Sequence, residues 1–150
     1  MYKHILVATD GSTQSAPAIR TALGLAKALG ARLTCLHVLA AYFPAGAAKA
    51  FPPLSNASYR RVIAKESHRA LAAFNAAARS NGVAATATSV VGGEPWRVLL
   101  QCARTRKCDL IVMASHGRRG LASLLLGSET TKVLTHSKVP VLVCRARRAG

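Results

Sequence analysis

Acidic side chains are scarce in this chain. Only 5 Asp and Glu stand against 21 Lys and Arg over 150 residues, for a net charge of +16. Hydrolysis or group transfer at neutral pH needs positioned acids, bases or metal ligands, and so few carboxylates leave little to build them from. Aromatic residues are also few, at 5%. None interleaves with the basic groups Arg60-Arg61, Arg104-Thr-Arg-Lys107, Arg118-Arg119 and Arg145-Ala-Arg-Arg148, so base stacking, and with it specific nucleic-acid recognition, is not expected. No apolar run approaches the ~18 residues of a membrane span. The amino terminus enters a strand at once, which argues against a signal peptide and for the cytoplasm. The four cysteines, Cys35, Cys102, Cys108 and Cys144, match neither a zinc spacing nor a C-x-x-C pair. Cys35 and Cys144 lie in apolar strands and read as small core residues. The chain has no G-x-x-x-x-G-K-[ST] loop and no G-x-G-x-x-G fingerprint. It has no Ser/His/Asp or Cys/His set.

What is present is alternation. Apolar runs at Lys3–Thr9, Arg32–Leu39, Ala84–Val91, Asp109–Met113 and Val139–Cys144 read as five strands. Between them Ile19, Ala22, Leu23, Ala26 and Leu29 recur at helical spacing, closed by Gly30. Ser12 or Thr13 is placed to cap that helix. Ala57 to Asn81 forms a long amphipathic helix, and Pro95 opens a third with Trp96, Leu99, Leu100 and Ala103 inward. Glu129 to His136 is the fourth. Ala40 to Ala57 lacks periodicity and reads as a long loop. Arg145 to Gly150 reads as a tail. Strands apolar on both faces, alternating with helices, imply one α/β domain over residues 1–150. It is an open, Rossmann-like parallel sheet with helices on both faces.

In such a sheet ligands sit beyond the carboxyl ends of the strands. Strand four runs there into Ala114-Ser-His-Gly-Arg-Arg-Gly-Leu-Ala-Ser-Leu-Leu-Leu-Gly-Ser128. A glycine-bearing loop that feeds a helix amino terminus suits an anion, because free N–H groups and the helix dipole converge there. Gly117, Gly120 and Gly127 would let backbone approach a phosphate. Ser128 offers a hydroxyl, or a helix cap. Asp10, after strand one, either accepts from ribose hydroxyls or bonds its own turn. Val38, ending strand two, would border a base with its backbone. His116 reads as a solvated loop residue, and His37 as a near-core histidine with its hydrogen bonds met. At most one of Arg118 and Arg119 would reach a phosphate. Trp96 reads as core or interface.

With these residues in view the chain resembles the universal stress protein family. The resemblance runs from Ile5-Leu-Val-Ala-Thr-Asp-Gly-Ser12 through Asp109-Leu-Ile-Val-Met-Ala-Ser-His-Gly117 to Pro140-Val-Leu-Val143. The nucleotide-binding branch of that family carries G-x2-G-x9-G-[ST]; here the pattern is Ala114-x2-Gly117-x9-Gly127-Ser128. The resemblance implies strand order 3-2-1-4-5 and a homodimer through strand five, Val139 to Cys144. It implies ATP or a related adenine nucleotide, with Mg accompanying the phosphates, and a sensor rather than an enzyme. Asp10 would contact ribose, Val38 and Met113 would border adenine, and Gly117, Gly127 and Ser128 would hold phosphates. Ala114 departs from the pattern by one methyl group where the chain passes the ligand. A dimeric interaction protein that binds no nucleotide is the alternative. A polyanion binder acting through net charge alone is a third, marked by steep salt dependence without base preference.

Overall fold

The computed structural model describes residues 1–39, 56–117 and 126–145. In chain order the elements are β1 (His4–Thr9), α1 (Ala16–Leu29), β2 (Arg32–Leu39), α2 (Asn56–Asn81), β3 (Ala85–Val91), α3 (Pro95–Thr105), β4 (Leu110–Ala114), α4 (Ser128–His136) and β5 (Val141–Cys144). A 3-10 turn, Thr13–Ser15, leads into α1. All strand pairs are parallel, in the order β3-β2-β1-β4-β5. The chain builds outward from β1 on one side and from β4 on the other, so the switch in strand order lies between them, where a ligand crevice opens.

Side chains alternate between the two faces of the sheet. Ile5 and Val7 of β1 meet α1 and α2 through Ala18, Ala22, Ala26, Phe74 and Ala78. Leu6 meets the other layer, with Leu99, Ala103 and Val133 of α3 and α4. The alanine stripe lets α1 lie close to the sheet, and each fully buried Ile or Leu stabilises by roughly 1.5–3 kcal/mol. Two of the helices stop at a glycine in the left-handed region, Gly30 (φ 62°) after α1 and Gly82 (φ 66°) after α2.

Several boundaries differ from the sequence reading, each for a local reason. β5 starts at Val141, not Val139. Pro140 has no N–H to give, although its carbonyl accepts from Ile111 N–H (3.0 Å). Both backbone groups of Val139 are engaged by the Ser137 hydroxyl (2.7 and 3.2 Å). Ser12 flanks only the 3-10 turn, and neither it nor Ser15, which precedes α1, caps through its side chain. α4 begins at Ser128, with Gly127 in the flanking position. Cys35 is fully buried, whereas Cys144 is only half-buried. α2 begins at Asn56; residues 40–55 of the expected loop, and 146–150 of the expected tail, lie outside the described residues.

The amino-terminal end of the sheet is tightly closed. Asp109 accepts from Lys3 N–H (2.8 Å) and His4 N–H (3.0 Å), and its own N–H donates to the His4 carbonyl (2.9 Å). The His4 ring lies 2.8 Å from Thr34 Oγ1, which is 3.2 Å from Thr86 Oγ1, so a polar row crosses three strands.

Candidate functional site

Register brings the candidate residues to one end. Thr9 pairs with His37, so Asp10, just past β1, comes level with Val38, which is still paired with Val90 inside the sheet. Val7 pairs with Val112, which sets Ala114 level with Thr9 on the neighbouring strand. The turn after β1 is held by hydroxyls. Thr9 Oγ1 lies 2.7 Å from Ser15 Oγ and accepts from Gly11 N–H (3.0 Å). Gly11 has φ 79°, a conformation glycine adopts without strain. Asp10 Oδ1 accepts from both the N–H (2.9 Å) and the hydroxyl of Ser12. The turn-residue role is therefore real, and it uses one carboxylate oxygen. The other faces the loop after β4: a Cβ on Gly117 would stand 2.9 Å from Asp10 Oδ2. A side chain at Gly117 would push that oxygen aside.

The second glycine closes against the same loop. Gly127 N–H donates to the Ser115 carbonyl (2.7 Å), and a Cβ there would stand 3.2 Å from that oxygen and 3.5 Å from His116 Cα. Thr130 Oγ1 reaches back to the carbonyls of Ala114 (3.0 Å) and Ser115 (3.2 Å). The chain leaving β4 is thereby stitched to the chain entering α4. Gly127 supplies no side-chain cap, so the first N–H groups of α4 have no partner within the helix. Glu129, in that first turn, accepts from Trp96 N–H at the start of α3 (2.9 Å) and ties the two helix starts together.

The remaining residues fall into place unevenly. Met113 is buried, and half-buried Val38 packs against the same α3–α4 layer. Ala114 points the other way, into the α1–α2 layer beside Cys144. His116 is not the solvated residue expected: its Nε2 is buried with no hydrogen-bond partner among the described residues, and its Nδ1 lies 3.1 Å from Ser115 Oγ. His37 is buried, with Nδ1 3.2 Å from Ser89 Oγ. Trp96 packs on the core, its ring 4.6 Å from that of His136 and 4.7 Å from the Arg97 guanidinium. Arg118, Arg119 and Gly120 lie outside the described residues. Ser115 and Thr130 escaped the sequence reading. A threonine inside a helix carries no sign that its hydroxyl bonds a neighbouring strand.

The comparisons agree with this architecture. A model of the universal stress protein family matches residues 1–145. The chain is 37% identical to the universal stress protein in the QAH/OAS sulfhydrylase 3' region of Thermus aquaticus, over 97% of this chain and all of that one. It is 34% identical to universal stress protein YxiE of Bacillus subtilis, again over 97% of this chain and all of that one. A crystal structure of a universal stress protein in complex with cAMP superposes with a TM-score of 0.69 at 28% identity, covering 97% of this chain and 98% of the other. With β-strand order, layer arrangement and full-length matches in agreement, the chain belongs to the universal stress protein family.

Proposed function

We propose that this protein binds ATP or a related adenine nucleotide at the carboxyl end of β1 and β4, as a cytoplasmic sensor or modulator in a stress response. The observation that carries the reading is the approach of Asp10 Oδ2 to Gly117, with Gly127 docked on the same loop. A carboxylate for ribose thereby stands beside an uncapped helix start suited to phosphates. Gly117, Gly127 and Ser128 hold the phosphates, Asp10 the ribose, and Val38 and Met113 border the base. Ala114 is compatible with this, because its methyl packs into the α1–α2 layer, away from Val38 and Met113. A related structure holding cAMP supports the choice of an adenine ligand. Mg would travel with the phosphates; among the described residues no group of three His, Cys, Asp or Glu side chains is placed to hold an ion. Glu129, the other carboxylate near the start of α4, is engaged by Trp96 N–H and Lys132. This leaves Asp10 as the carboxylate facing the loop, so turnover should fall far below the ordinary ~1 per second.

The protein acts as a homodimer through β5. The carbonyls of Pro140 and Cys144 face β4, accepting from Ile111 and Ser115 N–H. Val141 and Val143 therefore turn their backbone groups to the open edge. Exposed Leu142 and Leu134 lie on β5 and α4, and an antiparallel twin would cover such an edge about a two-fold axis.

A second reading rests on a specific observation: a side chain at Gly117 or Gly127 would crowd the protein's own atoms, so a purely structural loop in an interaction protein would favour glycine there too. Calorimetry with ATP at physiological salt separates the two. Saturable binding by the parent that is lost in Ser128→Ala and Gly127→Asp supports the nucleotide site. Absence of binding by both the parent and Ala114→Gly leaves the loop structural.

A further inference from the structure

The opposite end of the sheet carries a second charged feature. In a parallel sheet the residues just before each strand lie along one rim. Here they are Arg32 at the start of β2, Lys3 before β1, Arg106 and Lys107 before β4, and Lys138 before β5. All five are exposed. Neighbouring strands lie about 4.8 Å apart, so these cations line up over roughly 14 Å in the order β2, β1, β4, β5. The carboxylate at this end, Asp109, has both oxygens engaged by the N–H groups of Lys3 and His4. Arg32 reaches the uncharged partner His4 Nδ1 at 3.5 Å, and two ion pairs among the described residues, Arg97–Glu94 and Lys132–Glu129, lie elsewhere.

Helix dipoles do not account for the row. Lys27, Arg79 and Arg104, in the last turns of α1, α2 and α3, already answer the negative helix ends. Lys107 shows that something else holds the charge. It occupies the left-handed position after α3, at φ 53°, and is the non-glycine residue among those described with positive φ. The equivalent positions after α1 and α2 are Gly30 and Gly82. Glycine adopts this conformation freely, and lysine does not. A cation is kept where backbone energetics favour glycine, and strain of this kind collects at functional positions.

We propose that this rim is a docking surface for the phosphate backbone of double-stranded nucleic acid, bound without regard to base sequence. A regular polyanion with one charge per ~1.7 Å of axis matches a row of exposed cations. Single strands fit less well, because base stacking needs an exposed ring and Tyr2, beside the row, packs against the core. A membrane fits less well too: among the described exposed large apolar residues, Met1 alone lies next to the row. Backbone docking agrees with the absence of base-reading side chains.

The test is fluorescence anisotropy on the full chain with a short mixed-sequence duplex, from about 50 to 200 mM salt. The triple variant Lys3→Gln, Lys107→Gly, Lys138→Gln is compared with Arg61→Gln, Lys65→Gln, Arg69→Gln on the exposed face of α2, which removes the same charge. The rim variant should bind at least ~10-fold more weakly than the α2 variant. Its log–log salt slope should be shallower by about 0.9 for each phosphate contact removed. Its ATP binding should match the parent's, which separates this surface from the nucleotide site. Lys107→Gly alone should raise Tm by about 2–4 °C while weakening duplex binding. Equal losses in the two triple variants would reduce the effect to net charge and overturn the proposal. So would Lys107→Gly raising Tm with duplex affinity intact, or rim-dependent binding confined to phosphatidylserine vesicles.

Discussion

At the carboxyl ends of β1 and β4 the chain is thinned: Gly117 and Gly127 leave out side chains, Gly127 leaves α4 uncapped, and a carboxylate oxygen faces the loop. At the amino ends of the same strands the chain is filled. Asp109 clamps two N–H groups, and His4, Thr34 and Thr86 form a hydroxyl–imidazole row. One parallel sheet supplies both ends, and the difference lies in what enters and leaves it. Strands run out toward helix amino termini, which are short of acceptors, and begin after helix carboxyl termini, which are short of donors. The anion pocket answers the first shortage, and Lys27, Arg79 and Arg104 in the last turns of α1, α2 and α3 answer the second.

Exchanging the chemistry of the two ends tests the contrast. The largest effect is expected from Gly127→Asp, whose Cβ would stand 3.2 Å from the Ser115 carbonyl and whose carboxylate would stand beside the phosphates. ATP affinity should fall by ~100-fold or more, equivalent to about 2.7 kcal/mol, as read by calorimetry. ATP at ~100 times its Kd should meanwhile stabilise the parent by about 2.7 kcal/mol, and this variant hardly at all.

At the other end Asp109→Ala should cost about 2 kcal/mol, since charge-assisted hydrogen bonds contribute roughly 1.5–3 kcal/mol and water recovers part of them. Denaturant midpoints should show this loss while ATP affinity stays unchanged. If affinity falls with it, the two ends are not independent.

A third intervention acts on the sheet's edge. Val141→Pro removes an outward N–H and should shift light scattering from dimer toward monomer, with smaller effects on both ends.

Smaller still is Ala114→Gly. ATP affinity should stay within about threefold or tighten, and stability should drop by about 0.5–1 kcal/mol, because a strand glycine is floppier and a packed methyl is lost. A large gain in affinity would show that the methyl does reach the ligand.

Acid gives the mildest contrast. Burial, then the Arg32 charge, hold the His4 pKa below its ordinary 6.5. The folded state therefore takes up that proton less readily than the unfolded chain, and stability falls as pH drops below about 6.5. Burial pushes the Asp109 carboxyl up, but the N–H groups of Lys3 and His4 outweigh this and leave its pKa below 3.8. Its contribution is full above that value and disappears as pH falls through the lower folded value. Urea midpoints at about pH 7.5 and 5.5 should differ more for the parent than for His4→Gln.

The sheet was legible because its signals are local and repetitive. Apolar runs such as Leu110–Met113 and the Ile19–Leu29 periodicity do not depend on partners distant in sequence. Site chemistry was legible where backbone does the binding, since glycine spacing is visible in one dimension. What Gly117 makes room for was not legible. Its neighbour is Asp10, more than a hundred residues away, and only the β1–β4 pairing brings them together. His116 misled for a similar reason: a polar residue in a glycine loop looks solvated until Gly127 folds over it. The start of β5 was lost to Pro140, whose missing donor shortens the strand that composition suggests.

Cys35 stands in β2 between Val7 and Ala87, and desolvation pushes its thiol up to about 12. No reagent reaches that sulfur while the sheet holds. An alkylating probe supplied in excess would modify Cys35 only in molecules that have opened to the centre, so the slowest labelling step becomes a clock for whole-domain opening. With half-buried Cys102 and Cys144 replaced, nucleotide and duplex could each be read as a change in that clock's rate. No reporter would need to be added to the protein.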